Sequence, residues 1–230
     1  MDKKEAEKIL EASKQSYEKI AREFSETRAH FWPELAFIKN YLPKNGKVLD
    51  IGCGNGRLLE LLGETTLGYT GVDFSKNMLQ EAQQLHSDKK FVLADALNLP
   101  FPDQSFDAVV SLATLHHIPS KEFQRQFFKE AARVLAKNGV LIITAWDLWR
   151  ARFLPYFIKS FLGKISGNKL DWGDLFLTFG KHQETRYLHA FTEKRLAQLA
   201  KEIGFNVKIL HKIKNTGGQR SNILLIAIKN

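Results

Sequence analysis

The sequence predicts an α/β fold, a doubly wound parallel sheet, and three observations carry that expectation. Short β-branched apolar runs alternate with amphipathic helical segments from residue 47 to residue 145. A glycine-rich turn, Gly52-Cys53-Gly54-Asn55-Gly56, joins the first strand to the helix after it. Two consecutive strands close the chain with no helix between them, which suggests an antiparallel pair at one sheet edge.

Residues 3–29 form one helix in this reading, because Tyr17, Ile20, Ala21 and Phe24 recur at helical spacing with charge on the opposite face. Pro33 after Trp32 turns the chain. A short helix through Leu35, Phe37 and Ile38 ends at Pro43 and the Asn45-Gly46 turn. Strands are expected over 48–51, 69–72, 91–94, 106–112 and 140–145. Between them Arg57 opens one helix, Ser75 caps a second, and Phe123, Phe127, Phe128, Ala131 and Val134 mark the buried face of a third. Residues 147–190 break the rhythm by mixing aromatic and basic side chains, and they are expected to form a helical insertion. Thr192 caps a last helix, stopped by Gly204. Strands over 205–210 and 223–228 follow.

The chain of 230 residues suits one α/β domain. Its expected parts are an N-terminal helical cap (1–44), a ligand-binding core (45–146), a substrate-side insertion (147–190), and a last helix with two edge strands (191–230). With 44% hydrophobic and 26% charged residues, disordered and fibrous architectures are excluded. The single cysteine, Cys53, excludes an internal disulfide and a cysteine-based metal site, and no metal site is expected. A reducing, cytoplasmic location is expected. The apolar run at 140–146 is far too short to span a bilayer, and the N-terminus has no apolar signal core.

The net charge of +9 is one-sided. Residues 1–30 balance seven bases against seven acids, 31–120 carry seven against ten, and 121–230 carry twenty against eight. Such an excess is the footprint of a polyanion-binding surface or of a lysine-rich solubilising one. The motifs separate the two.

Acids stand at three successive strand ends. Asp50 precedes the glycines, Asp73 ends the second strand where ribose hydroxyls would be bonded, and Asp95 follows the third where an adenine amino group would donate. Phe74 would cover an adenine face. A dinucleotide dehydrogenase shares the glycine turn but has no evident use for Asp50 or for antiparallel end strands. Cys53 sits inside the turn and reads as a packing residue rather than a nucleophile.

VLDIGCGNG at 48–56, VDFS at 72–75, ADALNLPF at 94–101 and FDAVVSLATLHH at 106–117 together resemble the class I S-adenosylmethionine (SAM)-dependent methyltransferases. The resemblance implies a Rossmann-like seven-stranded sheet with an antiparallel last strand. It also implies SAM as cofactor, held by Asp50, Gly52, Gly54, Asn55, Gly56, Asp73, Phe74, Asp95, Ala96 and Leu112. His116 and His117 follow the fourth strand, where an acceptor enters. One of them is expected to be structural, and His116 is the catalytic candidate.

The flanks narrow the resemblance. FSETRAHFWP at 24–33, GCGNGR at 52–57, LHHI at 115–118 and RYLHAF at 186–191 are similar to the motifs of the eukaryotic-type tRNA wobble-uridine carboxymethyl methyltransferases. That family esterifies the carboxylate of 5-carboxymethyluridine in tRNA. The resemblance implies Arg28 and Arg186 as clamps on the carboxylate, and Trp32, Tyr187 and His189 as substrate-binding residues, with the two aromatics stacking on the uracil. Trp32 reads equally well as a core anchor. Implied partners are the tRNA anticodon stem-loop, held by the basic 121–230 half, and a small zinc-binding activator protein; no membrane is implied. The aromatics at 149–161 would cover that activator, dock tRNA, or pack the insertion onto the core. Three positions depart from the family. Leu188 replaces a second tyrosine, 217–222 lacks a tryptophan, and Arg57 replaces a lysine. The competing readings are a small-molecule methyltransferase acting on a quinone, lipid precursor or carboxylic acid, and a non-catalytic SAM-binding subunit.

Overall fold

The structure is a computed structural model that describes residues 1–27, 30–63, 68–165, 167, 169–179 and 184–230. Its main sheet has seven strands: β1 (Lys47–Ile51), β2 (Gly68–Asp73), β3 (Lys90–Leu93), β4 (Phe106–Leu112), β5 (Leu135–Trp146), β8 (Phe205–Lys214) and β9 (Ser221–Lys229). They lie in the order β3-β2-β1-β4-β5-β9-β8. The first five strands are parallel, while β9 runs antiparallel to both β5 and β8. The strand order reverses between β1 and β4, so the crevice at the carboxyl ends of these strands is where such sheets bind ligands.

Alternation along the strands sorts the core into two layers, since successive side chains point to opposite faces. Leu49 and Ile51 of β1, Leu141 and Ile143 of β5, and Ile223 and Leu225 of β9 pack against α4 (Lys121–Val134) and α6 (Glu193–Glu202). Val48, Ile142, Leu224 and Ile226 face the other way, onto α2 (Leu58–Leu62) and the 3-10 segment Pro33–Tyr41. The expected second helix is thus a 3-10 one, entered at Pro33.

Helix α1 (Lys3–Thr27) covers the carboxyl edge of the sheet by packing on α3 (Lys76–Leu85). Glu18 of α1 accepts from the Lys76 and Asn77 amides at 2.7 and 2.9 Å, and Ser75 Oγ accepts from the Met78 amide at 3.1 Å. Two side chains from different elements therefore satisfy the first turn of α3, where a carboxylate also complements the helix dipole. No described helix is long and apolar enough to cross a membrane.

The insertion is only half helical, which corrects the sequence expectation. After α5 (Leu154–Ile165) come β6 (Asp174–Phe179) and β7 (Glu184–His189), an antiparallel ribbon separate from the main sheet. Its period-2 pattern is visible in β6, where buried Leu175 precedes exposed Phe176. Leu175 and Leu188 of the ribbon join Leu148 and Phe153 in a small third core. Abundant charge and aromatic residues on both faces concealed that alternation in the sequence.

Candidate active site

The turn after β1 is shaped by what surrounds it. Gly52 has φ +71°, and a Cβ there would come within 2.8 Å of Thr114 Cβ, closer still to its Oγ1 and Cγ2. Only glycine tolerates both the left-handed backbone and that approach. The Gly52 and Cys53 amides donate to the Val72 carbonyl at 2.8 and 2.9 Å, which pins the turn to β2. Cys53 is buried, and burial pushes its thiol well above the usual range, in keeping with a packing role.

Asp73 binds the turn to the next helix. Its Oδ2 accepts from the Gly54 amide and its Oδ1 from the Ser75 amide, both at 3.0 Å. Burial nevertheless pushes its pKa up to about 6. Asp50 is also buried, and its pKa is pushed up to about 7 although the Tyr69 hydroxyl donates to its Oδ2 at 3.0 Å. Asp95 is exposed and caps its own turn, accepting from the Leu97 amide at 2.8 Å. Asn55 is buried and donates to Ser25 Oγ of α1 at 3.4 Å.

Two cavities meet along this edge. One is lined by Asp50, Gly52, Gly54, Asn55, Asp73, Phe74 and Leu112; the other by Asp73, Phe74, Asp95 and Ala96. They share Gly52, Asp73, Phe74, Thr114 and His117. A continuous path therefore runs from Asp95 past Asp73 to Asp50. Nine of the ten sequence-predicted cofactor residues line it; Gly56 stands behind, with φ +79° and His86 2.9 Å from where a Cβ would be. An acid at the middle of the path and a glycine turn beside it suit a nucleoside with a charged tail.

The predicted substrate residues divide. Arg186 lines the first cavity; it is 2% exposed, and its Nη1 donates to the Tyr17 hydroxyl at 3.1 Å. Arg28 lies outside the described residues. His116 does not reach the cavity, which corrects its candidacy. It is fully buried and stacks on Trp146 at 4.9 Å. Burial depresses its pKa well below the usual value, and its Nδ1 accepts from the Trp146 amide at 3.3 Å. His117 takes the cavity wall instead.

Tyr187 and His189 line neither cavity. Alternation on β7 turns both toward Asp174, which is 1% exposed. Its Oδ1 lies 2.6 Å from the Tyr187 hydroxyl and 2.7 Å from His189 Nδ1, and its Oδ2 accepts from the Asp171 amide at 2.7 Å. Tyr187 thus ties the ribbon together, and its buried ring packs edge-on to Phe176 instead of facing a cavity. Trp32 is 7% exposed and packed in the core beside Leu35, and the Arg57 guanidinium sits over its ring at 4.3 Å. The core-anchor reading of Trp32 holds, yet the ring also borders the first cavity.

Sequence reasoning missed Tyr17, Phe24, Thr114 and Trp146, all of which line the first cavity. Tyr17 and Phe24 were assigned only to a helix's buried face. Nothing in their spacing distinguishes a helix packed on the core from one packed over a ligand site.

A model of the methyltransferase domain matches residues 49–143. A tRNA (carboxymethyluridine(34)-5-O)-methyltransferase of Arabidopsis thaliana is 36% identical over 132 residues, 56% of this chain and 31% of that protein. The chain thus spans about a third of that relative's length. The structure of a SAM-dependent methyltransferase from Methanosarcina mazei superposes with a TM-score of 0.73 at 24% identity, covering 87% of this chain and 98% of that one. A protein of Encephalitozoon cuniculi that bears a methyltransferase name is 31% identical over 195 residues, 83% of this chain and 85% of its own length. A match of that extent, on this sheet order and this glycine turn, makes the chain a member of the class I SAM-dependent methyltransferase family.

Proposed function

We propose that the chain transfers the SAM methyl group to the carboxylate of 5-carboxymethyluridine at the tRNA wobble position, forming the methoxycarbonylmethyl ester. The observation that carries this reading is Arg186, a buried cation in the wall of the cofactor cavity. A carboxylate is already anionic at neutral pH. It needs a cation to hold it in line rather than a base to deprotonate it. The likeness to the Arabidopsis tRNA methyltransferase and the twenty bases against eight acids over 121–230 support tRNA as the acceptor.

In this reading Asp95, Ala96 and Phe74 would hold the adenine, Asp73 the ribose, and Asp50, Asn55 and the turn from Gly52 to Gly56 the amino-acid end, with Leu112 in the same cavity wall. Bound there, SAM would supply a sulfonium methyl for in-line transfer to a carboxylate oxygen, the carbon–sulfur bond breaking to leave a neutral thioether. Arg186, with Arg28, orients that carboxylate. Tyr17 fixes Arg186 through its hydroxyl, and the aromatic walls of Tyr17, Phe24, Trp32 and Trp146 exclude water. The test is incubation with labelled SAM and tRNA bearing 5-carboxymethyluridine, with and without a zinc-binding activator protein. A base-labile label in tRNA is expected. No labelled tRNA under either condition overturns the reading, and label in a small carboxylic acid without RNA would replace it with the small-molecule one.

A further inference from the structure

Trp32 and Trp146 are shared by the cofactor cavity and by a third cavity that adjoins it there. Its walls come from Glu23 and Thr27 of α1, Asp147 to Leu148 after β5, Arg152 and Phe153, and the loop and strand start at 219–222. Asp147 is neutralised there, with Lys212 at 3.0 Å and the Ser221 hydroxyl donating at 3.0 Å. Two arginines also line this cavity. Arg152 is exposed, lies over the Phe153 ring at 4.6 Å, and has no carboxylate within ion-pair distance among the described residues. Arg220 reaches Glu34 only at 3.5 Å, with its guanidinium 5.8 Å from the Trp32 ring centre. Asn222 also lines this cavity, opposite Trp146 in the β5–β9 register. It is 2% exposed, and its Oδ1 has no hydrogen-bond partner among the described residues. A buried amide oxygen left unpaired is destabilising, and it calls for a hydrogen-bond donor.

We propose that this third cavity is the acceptor subsite, in which Arg152 and Arg220 hold a phosphate beside the methyl-accepting nucleoside and the Asn222 amide takes the N–H of its uracil. The proposal rests on the tRNA reading above. Arginine forks match phosphate oxygens, and two of them in one cavity would set the register of a nucleotide without reading its base. The uracil ring N3–H is the donor that Asn222 Oδ1 lacks. Cytosine presents an acceptor at the same atom, so this residue discriminates between the two pyrimidines.

The experiment is fluorescence anisotropy of a labelled anticodon stem-loop over a salt series, in the presence of S-adenosylhomocysteine. The Arg152→Gln/Arg220→Gln variant is expected to bind about tenfold more weakly at low salt, with a log–log salt slope shallower by roughly 1. Asn222→Leu is expected to keep the wild-type slope. It should weaken binding of the loop with uridine at the wobble position by about tenfold and leave the cytidine loop unchanged. Asn222→Ser gives the same comparison if the leucine variant does not fold. Unchanged slopes and affinities, or an equal loss of S-adenosylhomocysteine binding, overturn the subsite. If wild type binds as expected but does not methylate 5-carboxymethyluridine, the carboxylate reading falls and the subsite stands. If wild type binds no stem-loop, both fall.

Discussion

The Tyr17 hydroxyl and His117 Nε2 lie 2.9 Å apart, joining residues a hundred positions distant in sequence. His117 Nδ1 is 3.1 Å from the Tyr187 carbonyl, which can only accept, so Nδ1 carries the ring proton. In the neutral ring Nε2 then accepts from Tyr17, whose oxygen accepts from Arg186 at 3.1 Å. One directional chain thus holds the cavity's buried cation. Tyr17→Phe removes its middle member. We expect kcat to fall by about tenfold through misplacement of Arg186, with SAM KM within twofold of wild type. Stability should fall by about 1–3 kcal/mol. An unchanged kcat would detach this chain from turnover.

Arg186→Ala and Arg28→Ala should lower turnover with little loss of SAM affinity, since both residues are assigned to the acceptor. Arg186→Lys should recover little, because a point charge does not reproduce the guanidinium fork. Isothermal titration with SAM alongside steady-state kinetics separates the two effects. Equal losses in both would reassign the arginines to the cofactor.

The buried carboxyls make stability and binding respond oppositely to pH. Burial raises Asp50 to about 7 and Asp73 to about 6, from an ordinary value of 3.8. Between about pH 4 and 7 the folded chain therefore holds protons that the unfolded chain has lost, and this contribution to stability falls as pH rises through that window. Thermal melts of wild type minus Asp50→Asn should show a difference that favours wild type more at pH 5 than at pH 7.5. SAM binding runs the other way, because an ionised Asp73 is the better acceptor for ribose hydroxyls. Affinity should weaken below about pH 6, and that step should vanish in Asp73→Asn.

Gly52 and Thr114 are coupled by contact. Gly52→Ala places a Cβ against the threonine in left-handed backbone, a conformation that alone costs about 1–2 kcal/mol. A large drop in melting temperature is expected, and adding Thr114→Gly should recover the steric part but not the backbone part. Strict additivity in the double-mutant cycle would contradict the contact.

Asp174 anchors the β6–β7 ribbon. Asp174→Ala leaves the Tyr187 hydroxyl, His189 and the Asp171 amide without their acceptor, about 1–3 kcal/mol for each buried group. Hydrogen exchange should speed up in 174–179 and 184–189 while the main sheet stays protected. Turnover should fall, because Arg186 rides on β7. Uniform exchange across both sheets would mean the ribbon is not a separate unit.

The order of the main elements was legible because it rests on local physics. Short β-branched apolar runs such as 140–145 make strands, Ser75 and Thr192 cap helices, and the glycines at 52, 54 and 56 mark the turn. The acids at 50, 73 and 95 could be read as a ligand path because parallel strands of one sheet bring their carboxyl ends to one edge. Other features depended on contacts between distant segments. His116 and His117 are neighbours on one 3-10 turn, and only packing on Trp146 and Tyr17 decides which is buried and which faces the cavity. Tyr187 and Arg186 are likewise adjacent on β7, and pairing with β6 sends one to Asp174 and the other to Tyr17. The sequence by itself determined the strands and helices in their order, the glycine turn and its acids, since each is set by neighbours within a few residues. Tertiary structure alone decided which side chains enclose the acceptor, since adjacent residues point apart and their partners lie up to 169 positions away.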